Sequence, residues 1–186
     1  MKKFLKYIFG AISLIISAGI IYFISKWSKI SIDEHIQKSS EIKNLNKKII
    51  DNTFRINKIK NVETDFSFFE NNNDTVTFSI NINQNEKIPS LTLIHFNDGD
   101  GFSGVNINFI KYKNFSYSFI ESYTDNIQPF KLLKRERYVL KKQKLTLNNS
   151  ELKKGDSIWG KIELEILFTP TDSIFYSKGY FKSVVE

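Results

Sequence analysis

Residues 75–82 read TVTFSINI, in which Val76, Phe78, Ile80 and Ile82 alternate with Thr75, Thr77, Ser79 and Asn81. Successive side chains of an extended chain point to opposite faces, so this spelling makes one apolar and one polar face, the pattern of a half-buried strand. Runs of the same kind follow at 91–96, 105–112, 115–123, 137–147, 158–168 and 175–185. Turn-forming stretches separate them: NNND at 71–74, QNEK at 84–87, NDGDG at 97–101, NNS at 148–150 and KGD at 154–156. Seven or eight antiparallel strands with one inward face apiece need a second layer to cover them. The expected fold is mainly β, with an antiparallel β-sandwich over residues 62–186.

The period changes upstream. Residues 32–59 are rich in Lys, Glu, Gln, Asn and Ile, lack Pro and Gly, and place Ile42, Leu45, Ile49, Ile56 and Ile59 at near-helical spacing. A juxtamembrane amphipathic helix is expected within 26–61, with Ser31 or Asp33 capping it. Its seam packs either on the β-domain or against a second copy as a short coiled coil, with Asn52 setting the register.

Residues 7–25 read YIFGAISLIISAGIIYFIS, 19 residues without a charge, flanked by Lys2, Lys3 and Lys6 before and by Lys26, Trp27 and Lys29 after. At about 1.5 Å per residue this helix is about 28 Å long, close to the hydrocarbon thickness of a bilayer. An uncleaved transmembrane anchor is expected, because the apolar run continues through Ile20–Ile24 beyond the only small-residue cluster that resembles a cleavage site. Three lysines and the amino terminus precede the span, whereas Lys26 and Lys29 follow it. The basic count places residues 1–6 in the cytoplasm and the C-terminal domain outside it.

The same lysines account for most of the chain's charge. Five of the seven net positive charges lie within the first 30 residues, so the excess belongs to a membrane flank and no nucleic-acid partner is expected. The absence of cysteine excludes disulfides and thiol nucleophiles, and two histidines, His35 and His95, are too few for an ordinary zinc site. Neither metal nor cofactor is expected. The 41% apolar content with only 3 prolines excludes a disordered chain.

Four groups of residues carry candidate sites. Phe115, Tyr117, Phe119 and Tyr123 share one face of a strand and form a candidate platform for a sugar or a protein. Arg135 and Arg137, within a basic run from Lys131 to Lys144, form a candidate positive edge, although lysines also guard edge strands against pairing. Glu163 and Glu165 share a strand face, but glycoside hydrolysis needs two carboxylates across a cleft, and a solvated face is the expected reading. The 97–101 string has oxygens and glycines suited to calcium, yet Phe96 and Ile107 fall where the first and last ligands belong, so a hairpin loop is expected. His95 is expected at the core edge beside Leu91 and Leu93. No string of a known catalytic family occurs, and the chain is not expected to be an enzyme.

A basic tail, one span and an all-β domain resemble in outline several bacterial envelope proteins that assemble larger complexes. The expected function is binding of a protein or glycan partner in the envelope, with a membrane-anchored immunity-type protein and a hydrolase using Glu163 and Glu165 as alternatives.

Overall fold

Backbone groups removed from water must find partners, and a chain spelled at period two finds them in neighbouring strands. The computed structural model describes residues 2–45, 64–66, 78–99, 103–124 and 138–186, and among them the expected runs are strands. In chain order the elements are α1 (Lys2–Ser25), β1 (Ser28–Lys29), β2 (Ser31–Ile32), a 3-10 turn (Ile36–Lys38), α2 (Ser40–Leu45), β3 (Ser79–Gln84), β4 (Leu91–Gly99), β5 (Ser103–Tyr112), β6 (Phe115–Thr124), β7 (Tyr138–Leu147), β8 (Ser157–Phe168) and β9 (Ser173–Val184). They form a five-stranded sheet, β1-β6-β5-β4-β3, and a four-stranded sheet, β2-β7-β8-β9.

The apolar rows of the two sheets meet in one core. Ile82, Ile94, Phe96, Ile107 and Phe109 come from the first sheet, and Leu145, Ile158, Ile162, Ile166 and Phe181 from the second. Phe96 lies edge-on to Phe181, with centroids 5.3 Å apart, and Phe66 packs on Phe78 at 5.1 Å. At one end of the inner face Lys111 is buried and donates from Nζ to the carbonyl of Lys113 at 2.8 Å, which braces the β5–β6 turn. Burial holds its ammonium below the usual lysine range.

Both open sides of the two layers are laced together. On one side Ile82 bridges Val185, and the Glu186 N–H donates to the Ile82 carbonyl at 2.8 Å. On the other, residues 28–32 pass from sheet to sheet: β1 pairs with β6, Ile30 enters the core, and β2 pairs with β7. The β2–β7 pairing is parallel, so the domain is not wholly antiparallel.

This passage corrects the helix expected from residue 32. The spelling SKISID at 28–33 alternates, and its two isoleucines go to separate tasks, Ile30 in the core and Ile32 in a strand. Asp33 Oδ1 accepts the His35 N–H at 2.9 Å and opens the 3-10 turn, and Ser39, rather than Ser31 or Asp33, caps α2 through its Oγ to the Ile42 N–H at 3.3 Å. Of the expected seam, Ile42 and Leu45 are buried against Trp159 and Tyr180. This part packs on the domain's own sheet. Ile49, Asn52, Ile56 and Ile59 lie outside the described residues.

The helix α1 contains the apolar run Tyr7–Ser25, long and apolar enough to cross a membrane, and none of that run is buried by the rest of the protein. It joins the β-domain almost without a linker. The Phe23 and Trp27 rings each lie 6.1 Å from Tyr117, and the Lys26 carbonyl accepts a hydrogen bond from Gln143 Nε2 at 3.0 Å.

Candidate functional site

The outer face of the five-stranded sheet gathers the polar half of four alternating strands. Because Thr92, Ile94 and Phe96 point inward, Leu91, Leu93, His95 and Asn97 point outward. This corrects the placing of His95 beside a buried Leu91 and Leu93: Leu93 is 39% exposed, and the inward residues are the other set. The neighbouring strands contribute Ser79, Asn81 and Asn83 from β3, Asn106, Asn108, Ile110 and Tyr112 from β5, and Phe115, Tyr117, Phe119, Glu121 and Tyr123 from β6.

Register sorts these side chains into rows across the sheet. One row is Ser79, Asn97, Asn106 and Glu121, and the next is Asn81, His95, Asn108 and Phe119. Beyond them lie Asn83, Leu93, Ile110 and Tyr117, and at the turn end Leu91, Tyr112 and Phe115. The face is therefore divided crosswise, polar at one end of its strands and apolar at the other.

The polar rows are held by side-chain hydrogen bonds. Asn97 Nδ2 donates to Asn106 Oδ1 at 2.6 Å and to the Tyr123 hydroxyl at 3.3 Å. His95 Nδ1 lies 2.7 Å from Asn108 Oδ1, and Asn108 Nδ2 donates to Glu121 Oε2 at 3.1 Å. Asn83 Nδ2 donates to Asn81 Oδ1 at 2.6 Å. A carboxamide has two donors and two lone pairs, so such bonds fix its plane and leave capacity for a ligand. The Phe119 ring stacks on Tyr117, with centroids 6.0 Å apart and planes 28° apart.

Of the residues expected to bind, Phe115, Tyr117, Phe119 and Tyr123 do share this face, with Tyr117 also carrying the ring contacts of the helix end. Arg135 and Arg137 lie outside the described residues. Lys142 and Lys144 of the same run stand on the outer face of β7, where Lys142 meets Glu165 at 2.7 Å and Lys144 meets Glu163 at 3.6 Å. Among the described residues most of β7 has no partner strand on its other side, since β2 covers only Thr146 and Leu147, and a register shift falls between Leu140 and Lys142. Lysines and a bulge on such an edge oppose pairing with another chain.

Glu163 and Glu165 lie side by side on the second sheet, opposite the core residues Ile162, Leu164 and Ile166. The Lys161 ammonium, 2.7 Å from Glu163, holds that carboxyl below its usual range, the reverse of what a general acid needs. At the expected 97–101 loop, β4 continues through Gly99 and pairs as far as Gly104, so Asn97 and Asp98 are strand residues. Asp98 points inward, and burial raises its carboxyl above the usual carboxylate range. Among the described residues no group of three or more His, Asp or Glu side chains is placed to hold a metal.

The amide ladder of Asn97, Asn106 and Asn108 was not singled out from the sequence. Its signal is present, since asparagine recurs at outward positions of β3, β4 and β5, but asparagine is common throughout the chain and only register brings these three strands together. Comparison with protein-family models, with curated proteins and with solved structures finds no match for this chain.

Proposed function

We propose that this is a single-span membrane protein, with residues 1–6 in the cytoplasm, whose extracytoplasmic β-domain binds a glycan of the bacterial envelope and does no chemistry on it. The observation that carries the reading is the two hydrogen-bonded pairs Asn97–Asn106 and Asn108–Glu121, which lie across two adjoining rows, beside the ring of Phe119, itself stacked on Tyr117. A sugar ring has an apolar C–H face and a rim of hydroxyls. Aromatic faces suit the first, and fixed carboxamides and a carboxylate suit the second by donating to and accepting from neighbouring hydroxyls. Two carboxylates meet this face among the described residues, Glu121 on β6 and Glu186, which accepts from Asn81 Nδ2 on β3 at 3.3 Å; they stand three strands apart along one sheet, whereas glycoside hydrolysis takes two carboxylates across a cleft. The apolar helix would confine the domain to a layer next to the membrane and so raise its effective concentration on a glycan there.

The test uses the full chain in nanodiscs, with insoluble cell-wall sacculi and soluble chito-oligosaccharides as probes. Retention on sacculi that is competed by the oligosaccharides and is lost in both Phe119→Ala and Asn106→Ala supports the reading. Retention that neither substitution alters, or no retention at all, overturns it.

A further inference from the structure

Phe23 belongs to the apolar run of α1, two residues from its end, and its ring touches Tyr117 of the β-domain. A bilayer that holds α1 therefore brings its interface to Tyr117. Directly opposite Tyr117 is Ile110, and opposite Ile110 is Leu93, at about 5 Å per strand across the sheet. The adjoining row adds Tyr112 and Phe115, which are 42% and 50% exposed. These side chains form an apolar half-face continuous with the helix end, while the polar rows occupy the other half.

We infer that this apolar half-face is seated on the lipid bilayer, with Leu93, Ile110, Tyr112, Phe115 and Tyr117 at the level of the headgroups. The inference rests on the reading that α1 spans the membrane and adds which face of the domain meets the lipid. Lipid is the occupant for two reasons beyond apolarity. The helix contact fixes the depth, because a ring beside Phe23 cannot be far from the hydrocarbon boundary, where tyrosine and tryptophan rings are favoured. The charge around the half-face also fits anionic headgroups: Lys26 and Lys29 border it at the helix junction, and Lys113 and Lys87 lie in the two turns at its end, with Glu86 the acid beside them. Lys113 Nζ already lies over the Tyr112 ring, 5.6 Å from its centroid. Seated in this way, the domain turns the amide rows away from the lipid and towards the cell wall.

The absence of cysteine allows a direct test in the full chain. Single cysteines at Leu93, Phe115, Ser79, Tyr176 and Ile16 are labelled with an environment-sensitive fluorophore. The protein is reconstituted in vesicles of equal parts phosphatidylethanolamine and phosphatidylglycerol carrying nitroxide quenchers at shallow or deep positions. The expected result is loss of most of the emission to the shallow quencher at L93C and F115C, little loss at S79C in the polar row or Y176C on the other sheet, and loss to the deep quencher at I16C. Two labelled positions on the half-face guard against one substitution disturbing the sheet. Deep quenching at I16C with L93C and F115C unquenched overturns this inference and leaves the span standing, as does stronger shallow quenching at S79C than at L93C. An unquenched I16C overturns the span and this inference together.

Discussion

The ring of Phe181 lies against the α-carbon of Gly160, directly across the β8–β9 ladder, where any side chain would stand. Two positions along, Gly179 faces the backbone of Phe66 in the same way. The two glycines let a phenylalanine ring and a separate segment of chain, 64–66, enter the core over the second sheet. Gly160→Ala should cost about 1–3 kcal/mol, the usual penalty for overpacking a full core. Gly179→Ala should cost more, because a phenylalanine ring can tilt whereas the Phe66 backbone is held by Asp65, which accepts the Tyr180 N–H at 2.6 Å. Urea unfolding of the full chain in micelles checks both, and equal midpoints in parent and variants would remove this account of the core.

Asp98 continues the inward row of Thr92, Ile94 and Phe96, and burial alone raises its carboxyl. A carboxyl with a higher pKa folded than unfolded binds more protons in the native state, so stability falls as pH rises from the unfolded value through the raised one. Above that window the penalty is complete. Asp98→Asn should therefore be more stable than the parent at neutral pH, with the difference shrinking as pH falls through the raised value towards the ordinary carboxylate range and constant below it. Thermal unfolding of both proteins across that range measures it.

Strands β3 to β9 are legible in the sequence because each buries one face, and burial on one face writes period two into the residues themselves. The short strands β1 and β2 are not, since two residues carry no period and the pairing that makes them strands is supplied by β6 and β7. The lysine-rich stretch after residue 32 illustrates the opposite failure: its composition suits a helix, yet Ile30 and Ile32 are taken by the core and by β7, and helix begins only at Ser40. In the candidate site the aromatic face of β6 is readable from one strand. The amide ladder is not, because its members come from two strands, β4 and β5, whose register depends on loops and on the core beneath them. Which half of the face meets the helix depends on the contact of Tyr117 with Phe23, and that is a tertiary fact.

Gln143 is the hub where the helix end meets both sheets. Its Nε2 donates to the carbonyls of Lys26 at 3.0 Å and Ser116 at 3.3 Å, and its Oε1 accepts from Ser118 Oγ. Gln143→Leu keeps the volume and removes all three bonds. Leaving buried or half-buried polar groups without partners costs about 1–3 kcal/mol, and here the loss falls on the junction. The variant should unfold earlier and should also broaden the distance between spin labels at I16C and S79C. An unchanged distance distribution would mean that the Phe23, Trp27 and Tyr117 rings hold the junction without it.

Leu45 and Ile42 close the small cluster beneath α2, where both are buried against Trp159 and Tyr180 on the outer face of the second sheet. This contact holds the described part of α2, Ser40–Leu45, against the second sheet. Leu45→Ala should cost about 2 kcal/mol, the low end of the range for buried leucines, because a satellite cluster near the surface can collapse around the lost volume. In a Trp27→Phe background the Trp159 emission should shift to the red as water reaches the indole. The mass of the protein in detergent should stay the same in parent and variant, since the seam packs on its own domain. A parent dimer that dissociates on Leu45→Ala would show that the same side chains also serve a second copy, and the packed-helix account would then have to give way to the coiled-coil one.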